Sequence, residues 1–117
     1  MDNKDFRLKD YLLCVARVAP LQRVELEETL KACAAGQVTA RRLLEERHLP
    51  HVVAWTLPYR VSDTPYLRLI EAGNRALLKL IKRCQSGEAP DASTFLDSLQ
   101  SAVEQACEEM LKASPRA

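Results

Sequence analysis

The feature that most constrains the fold is a regular stripe of apolar residues in the last third of the chain. Between positions 96 and 110 these residues are spaced by three, four, three and four, at Leu96, Leu99, Val103, Ala106 and Met110. Such spacing places the side chains on one face of an α-helix, and that face must be buried against another element. The stripe therefore predicts a long helix inside a packed helical protein.

A second, broader apolar pattern precedes the first, at Tyr66, Ile70, Leu77, Ile81 and Cys84. The chain has 117 residues, which is enough for one hydrophobic core. It contains three glycines and 5% aromatic residues, whereas sandwiches and barrels need turn glycines and strand-forming side chains. We therefore expect one all-α domain over 1–117, a compact bundle of four to five helices with frayed last residues.

Helix-breaking and capping residues place the first three predicted helices. The first covers about 5–18 and ends before Pro20, because proline cannot continue a helix. The second ends near position 35, where Gly36 is expected to form a left-handed C-cap. Thr39 is expected to be the N-cap of a short third helix.

The last two predicted helices form an antiparallel hairpin at the C-terminus. The sequence Ser62-Asp63-Thr64-Pro65 predicts the start of the fourth helix, and the fifth covers about 91–113. The segment 50–65 fits either a short strand or a helical turn by its pattern. Irregular or short-helical structure is favoured there, because a lone strand has no partner in this chain.

The predicted core combines positions from four of these helices. Trp55 is expected to pack over the bundle from the middle segment. The core residues are Leu8, Leu12, Val15, Leu30, Ile70, Leu77, Ile81, Leu99, Val103 and Met110.

Cysteine and histidine residues do not form a recognisable ligand set. No cysteine pair has the Cys-x-x-Cys spacing, so in a reducing compartment Cys14, Cys33, Cys84 and Cys107 are interpreted as small buried apolar residues. His48 and His51 would supply at most two ligands. We therefore predict no metal and no cofactor.

The N-terminal segment and the apolar stretches predict a cytoplasmic protein without membrane contact. Acidic residues occur among the first five positions, so the basic region of a signal peptide is missing. The apolar stretch at 11–21 is interrupted by Arg17 and Pro20 and is too short to span a bilayer.

A row of cations on the fourth predicted helix is the candidate interaction surface. Arg68, Arg75, Lys79 and Lys82 follow one another at spacings of seven, four and three, which places them on one stripe. Such a row can bind an acidic surface of a partner. The alternatives are a solvated face, or internal pairing with the acidic fifth helix.

The leading function is a non-enzymatic protein–protein interaction module, a small adaptor, chaperone or inhibitor that regulates a protein partner of unknown identity. No glycine-rich phosphate loop, nucleophile elbow or paired carboxylates are found in the sequence. Several apolar residues lie off the main stripes. If they are exposed they form an apolar interface; the alternative is that the bundle buries them, because a central helix needs a wide apolar face. We also predict a homodimer with contacts in the fourth or fifth helix. The off-stripe residues are Phe6, Leu13, Val18, Leu69 and Leu78.

The first alternative is a DNA-binding transcriptional regulator of helix-turn-helix type around Gly36. Arg41, Arg42 and Arg47 would then contact phosphates or bases. Acidic residues at 25, 27 and 28 in the preceding helix would repel DNA, and the net charge of the chain is only +1. Nucleic acid is therefore a less favoured partner.

A ribonuclease is the third alternative. Arg42 and His48 are separated by five residues, and this spacing resembles the Arg-x(4–6)-His motif of the all-helical HEPN-type ribonucleases. The resemblance is confined to these two residues. It implies that the cation would stabilise, and the imidazole protonate, a scissile phosphate.

Overall fold

The computed structural model describes residues 3–61, 64–85 and 89–113, with side chains from residue 8 onward. Within these ranges the chain is helical and contains no strand, which confirms the all-α bundle. Six α-helices and one 3₁₀ turn follow one another: α1 (Asn3–Ala16), α2 (Arg23–Ala34), α3 (Val38–Arg47), α4 (Leu49–Thr56), the turn Leu57–Tyr59, α5 (Tyr66–Gln85) and α6 (Ala92–Ala113).

The additional helix is α4, which lies in the segment that the sequence left open. Pro50 is tolerated in its first turn, because the amide hydrogen that proline lacks would have no helical partner there. Short-helical structure, the favoured alternative for this segment, is therefore correct. The fraying expected at the C-terminus falls on 114–117, outside the described residues.

The C-terminal helices form the expected antiparallel hairpin. Gly73 of α5 lies against Val103 of α6, whereas Cys84, later in α5, shares a recess with Phe95, early in α6. The first half of α5 therefore lies beside the second half of α6, and the end of α5 lies beside the start of α6, so the two helices are antiparallel. The connecting residues 86–88 lie outside the described part of the chain.

The central helix of the bundle is α5, which packs against α2, α3, α4 and α6. Seven of the ten predicted core residues are buried, but Leu8, Leu12 and Met110 are only half-buried. For the two leucines the reason is the position of α1, which lies at the edge of the bundle against α4. Trp55 is half-buried and packs against the core, as expected.

The buried face of α6 is rotated relative to the apolar stripe read from the sequence. Ala106 and Met110 are half-buried, whereas Cys107 is fully buried. α6 packs against α5, α4 and α2, and the side chains that these helices enclose form the buried row. It consists of Ala92, Phe95, Leu99, Val103 and Cys107.

Local hydrogen bonds explain where α2 ends and α3 and α6 begin. Gly36 has φ +89°, and the amides of Gly36 and Gln37 donate to the carbonyls of Cys33 and Ala32. This is a Schellman C-cap, which confirms the left-handed glycine. Thr39 is not an N-cap, because the Gln37 cap starts α3 one residue before it, at Val38.

The N-cap of α6 is Asp91, whose Oδ1 accepts a 2.7 Å hydrogen bond from the backbone amide of Thr94. This bond lowers the pKa of the Asp91 carboxyl, because it stabilises the charged form. At the other predicted start, Pro65 lies directly before α5. Ser62 and Asp63, also assigned to that start, lie outside the described residues.

Candidate interaction groove between α5 and α6

A groove of about 530 Å³ follows the solvent side of the α5–α6 hairpin. Alanines from both helices line it, so its surface is shallow and apolar where the helices meet. Leu80 and Met110 add larger apolar surface. Small side chains allow a docked backbone to approach the hairpin closely. The alanines are Ala72, Ala76, Ala102 and Ala106, with Ala113 at the end of α6.

The two edges of the α5–α6 groove carry different charges. Arg75, Lys79 and Arg83 follow one another at intervals of four along the α5 edge, because residues four apart share a helix face. The α6 edge carries Gln105 and Glu109. The groove therefore has a cationic side and one carboxylate opposite it.

The structure divides the predicted interaction surface into two parts. Arg75 and Lys79 line the groove, whereas Arg68 and Lys82 are exposed on α5 outside it. The sequence analysis missed Arg83. Its interval of four from Lys79 is the signal that would have identified it.

Two of the acidic residues of α6 are hydrogen-bonded to uncharged side chains rather than paired with the row of cations. Glu104 accepts a 3.3 Å hydrogen bond from Gln100, and Glu108 accepts one of 3.4 Å from the hydroxyl of Tyr59. Among the described residues, the ion pairs found are Arg23–Glu27 and Arg41–Glu45, each within one helix. Neither involves the four cations of the predicted surface, so the internal pairing considered for them is not found in that part of the chain.

Two of the three arginines of the DNA-binding alternative make contacts within the chain. Arg41 contacts Glu45 at 3.2 Å, and Arg47 donates a 2.9 Å hydrogen bond to the carbonyl of Ala19. Arg42 is exposed, as are Glu25 and Glu28 on the preceding helix. Of the three arginines, Arg42 is therefore the one without an ion pair or a hydrogen bond among the described residues.

His48 is a core residue and does not face solvent. The residue is 1% exposed, and its Nδ1 lies 2.8 Å from the carbonyl oxygen of Leu44. Its ring packs edge-on against the Phe95 ring, with the two ring centroids 5.1 Å apart. Burial lowers the pKa of His48 from 6.5 to about 4, because the charged imidazolium would be desolvated, and the Leu44 hydrogen bond opposes this shift only in part. Arg42 is exposed, so the ribonuclease pair does not form one solvent-facing site.

His51 packs beside His48, with ring centroids 5.3 Å apart, and beside Trp55 on its other side. Its Nδ1 is buried without a hydrogen-bond partner, and burial also lowers its pKa. In the described ranges, no three histidine, cysteine or acidic side chains come together as a metal site. The rings of His48 and His51 pack against each other and against Phe95 and Trp55, respectively.

Of the five apolar residues that the sequence places off the main stripes, two are exposed in the described part of the folded chain, Leu13 and Leu78. Leu69 is fully buried, because α5 has neighbours on several sides and needs a wide apolar face. Leu13 and Leu78 are 64% and 49% exposed, and Val18 is half-buried. The side chain of Phe6 lies outside the described residues.

No protein-family model matches the chain, and a comparison with curated proteins found no match. Within the described ranges, no helix has the combined length and apolar character needed to cross a bilayer.

Proposed function

We propose that this protein is a non-enzymatic adaptor that binds an acidic helical segment of another protein in the α5–α6 groove and thereby regulates that partner. One observation supports the proposal above all others. A groove with an alanine surface lies beside a row of three exposed cations on α5, Arg75, Lys79 and Arg83.

The dimensions of the groove suit an α-helix. From Ala72 to Arg83 the α5 edge advances about 16 Å, since a helix rises 1.5 Å per residue. This length corresponds to about three turns of a docked helix. Amphipathic helices commonly dock their apolar face in grooves between two helices.

The charge of the groove selects the chemistry of the partner. A docked carboxylate beside Arg75 or Lys79 would gain a charge-assisted contact, whereas a docked cation would be repelled. Contacts of this kind at a rim contribute to association rate and specificity, and the apolar face supplies the buried area. An acidic amphipathic helix meets both requirements.

Charge reversal tests the proposal in the full-length protein, tagged and expressed in its native cell. We expect the double variant Arg75→Glu/Lys79→Glu to lose a protein that co-purifies with the wild type. The matched control Lys9→Glu/Arg42→Glu reverses two exposed charges on α1 and α3, outside the groove, and should retain that protein. Circular dichroism would establish that both variants are folded.

Equal recovery of the partner by both double variants would contradict the proposal. Retention of nucleic acid by the wild type, and its loss in the Lys9→Glu/Arg42→Glu variant alone, would instead favour the DNA-binding alternative. Steep weakening of that retention by salt would identify contacts to phosphates.

A further inference from the structure

We infer that α1 is an exchangeable helix. In a dimer of this chain, the α1 of each copy occupies, on α4 and α5 of the second copy, the site that it occupies within its own chain in this structure. The inference is independent of the proposed function, because the described residues of α1 do not line the α5–α6 groove. Three features carry it: the weak attachment of α1, the segment that joins it to α2, and the uncovered apolar surface beside its site.

Few buried groups hold α1 to the bundle. In its described part, residues 8–16, Val15 is the one buried residue, and it lies outside the continuous core. Leu8, Tyr11 and Leu12 contact that core but are only half-buried. The shorter helix α2 buries three residues in the same core. Because elements with few buried apolar contacts open at a low free energy, α1 can leave while the other helices stay packed.

The polar contact between α1 and α5 is incompletely satisfied. Nδ2 of Asn74 donates a 3.1 Å hydrogen bond to the hydroxyl of Tyr11. The Oδ1 of the same amide is buried and has no hydrogen-bond partner among the described residues. A buried acceptor without a partner costs about as much free energy as one hydrogen bond contributes. This contact therefore adds little to the attachment of α1.

The segment 17–22, which joins α1 to α2, has an anchored half and a free half. The carbonyl of Ala19 accepts a 2.9 Å hydrogen bond from Arg47 of α3, and Leu21 packs against the core. The second half of the segment therefore stays with its own bundle when α1 leaves. The two residues before Ala19 are the hinge about which α1 can swing.

A second copy of this chain is the occupant that the α1 site fits. Its α1 has the same side chains and makes the same contacts, so exchange alters only the path of the hinge, which makes it a low-cost route to a dimer. Leu78 lies one helical turn after Asn74 on α5 and is 49% exposed. The α1 site therefore borders apolar surface that the second copy can cover.

Isotope-mixed photo-cross-linking of the full chain tests the exchange. A benzophenone side chain is placed at Tyr11, whose hydroxyl meets Asn74, or at the control position Leu13, which is 64% exposed on α1. Equal amounts of ¹⁵N-labelled and unlabelled chains of one variant are unfolded, refolded together at high micromolar concentration and irradiated. Mass spectrometry then reads the isotopes of the cross-linked peptides.

We expect position 11 to cross-link to the α5 peptide that contains Asn74. About half of these cross-links should join a labelled to an unlabelled chain, because each α1 docks on a second copy drawn at random from the mixture. Position 13 should give no cross-link to that peptide. Cross-links from position 11 that join only chains of like isotope would show that α1 docks within its own chain, and would overturn the inference.

The length of the hinge gives a second test, which needs no photoreactive residue. Deleting Arg17 and Val18 shortens the segment by up to about 7 Å, so α1 no longer reaches the site in its own chain. We expect this variant to be a dimer down to low micromolar concentration. Inserting Gly-Ser-Gly between Val18 and Ala19 eases docking within one chain and should favour the monomer. Equal masses of the two variants in light scattering at the same concentration would overturn the inference.

Discussion

At the scale of single residues, burial changes the chemistry of side chains that the sequence presents as ordinary. His48 and the thiols of Cys33, Cys84 and Cys107 lie in the core, where their charged forms lose hydration. Cys14 differs, because it is exposed on α1. The expectation that all four cysteines are buried is therefore wrong for Cys14, which lies on the solvent side of the edge helix.

We expect the stability of the protein to fall as the pH is lowered from about 6.5 toward 4. In the unfolded chain His48 binds a proton near 6.5, but in the folded chain only near 4. Between these values the unfolded state binds more protons, so acid favours unfolding, by up to about 3 kcal/mol for a shift of this size. Denaturant unfolding across this pH range measures the effect.

The variant His48→Gln provides the control for this pH dependence. Glutamine has no titrating group, so the free energy of unfolding of this variant should change less between about pH 6.5 and pH 4. The smaller, parallel contribution of His51 would remain in both proteins. An unchanged pH slope in His48→Gln would show that His48 does not cause the effect.

We expect one of the four thiols to react rapidly with a thiol probe in the native protein. The pKa of Cys33, Cys84 and Cys107 is raised by burial, in the case of Cys107 to about 11, so little reactive thiolate forms. All four thiols should react after unfolding. The thiol expected to react rapidly is Cys14, which is exposed. Cys14→Ser should therefore abolish the rapid reaction. A rapid reaction that persists in this variant would show that another thiol is accessible.

At the scale of single helices, tertiary neighbours select which face of each helix is buried. In α6 the sequence stripe and the buried row share Leu99 and Val103 but diverge at Ala106 and Cys107. In α5 the burial extends to Gly73, where a methyl group would lie 2.7 Å from Cγ1 of Val52 and 3.3 Å from Cγ1 of Val103. At this glycine α4, α5 and α6 approach one another closely.

Replacing Leu99 with alanine should cost about 2–5 kcal/mol of folding free energy, because the side chain is fully buried in the row of α6. Val103→Asp should be more damaging, since it buries an unpaired carboxylate. Leu13→Ala is the control, because Leu13 is 64% exposed on α1. Thermal unfolding with the same midpoint for Leu99→Ala and wild type would contradict the burial of α6.

Gly73→Ala should destabilise the fold by about 1–2 kcal/mol, although alanine favours helices, because the new methyl group would overpack the three-helix contact. Ser101→Ala, at an exposed position of α6, raises helix propensity without a steric contact and should not destabilise. Chemical denaturation compares the two. A Gly73→Ala variant more stable than the wild type would show that α4 can move away at no cost.

At the scale of the whole molecule, the described helices form one packed bundle with an open groove on its hairpin. The principal extents are 46 × 28 × 20 Å, so the molecule is elongated. On α5, at a position that does not line the groove, Leu78 remains 49% exposed. The homodimer expected from the sequence stays a prediction, and Leu78 is a contact that it would use.

Light scattering over a concentration series tests the dimer. We expect a mass of two chains at high micromolar concentration, and a mass of one chain for Leu78→Glu, because a carboxylate would be desolvated at an apolar contact. Leu13→Glu, on α1, is the control and should leave the mass unchanged. A mass of one chain for the wild type at every concentration would contradict the prediction.

The sequence by itself determined the fold class, the C-terminal hairpin and the glycine cap at Gly36. These depend on periodicity and on the backbone freedom of one residue, which are local properties. The cationic row of α5 was also predicted, because its spacing is a matter of helical periodicity. Its position beside a groove was not, because a groove exists only once two helices pack.

Only the tertiary structure decided the remaining features. Periodicity defines a helix face to within about one residue, or 100°, so it did not separate Ala106 from Cys107. It also gave no indication that His48 lies against Phe95, and it left open whether Leu69 is enclosed or exposed, because burial depends on neighbours far away in the sequence. The groove also depends on residues that are distant in the sequence. Its α5 edge carries Arg75, Lys79 and Arg83, and its opposite edge, with Glu109, comes from α6.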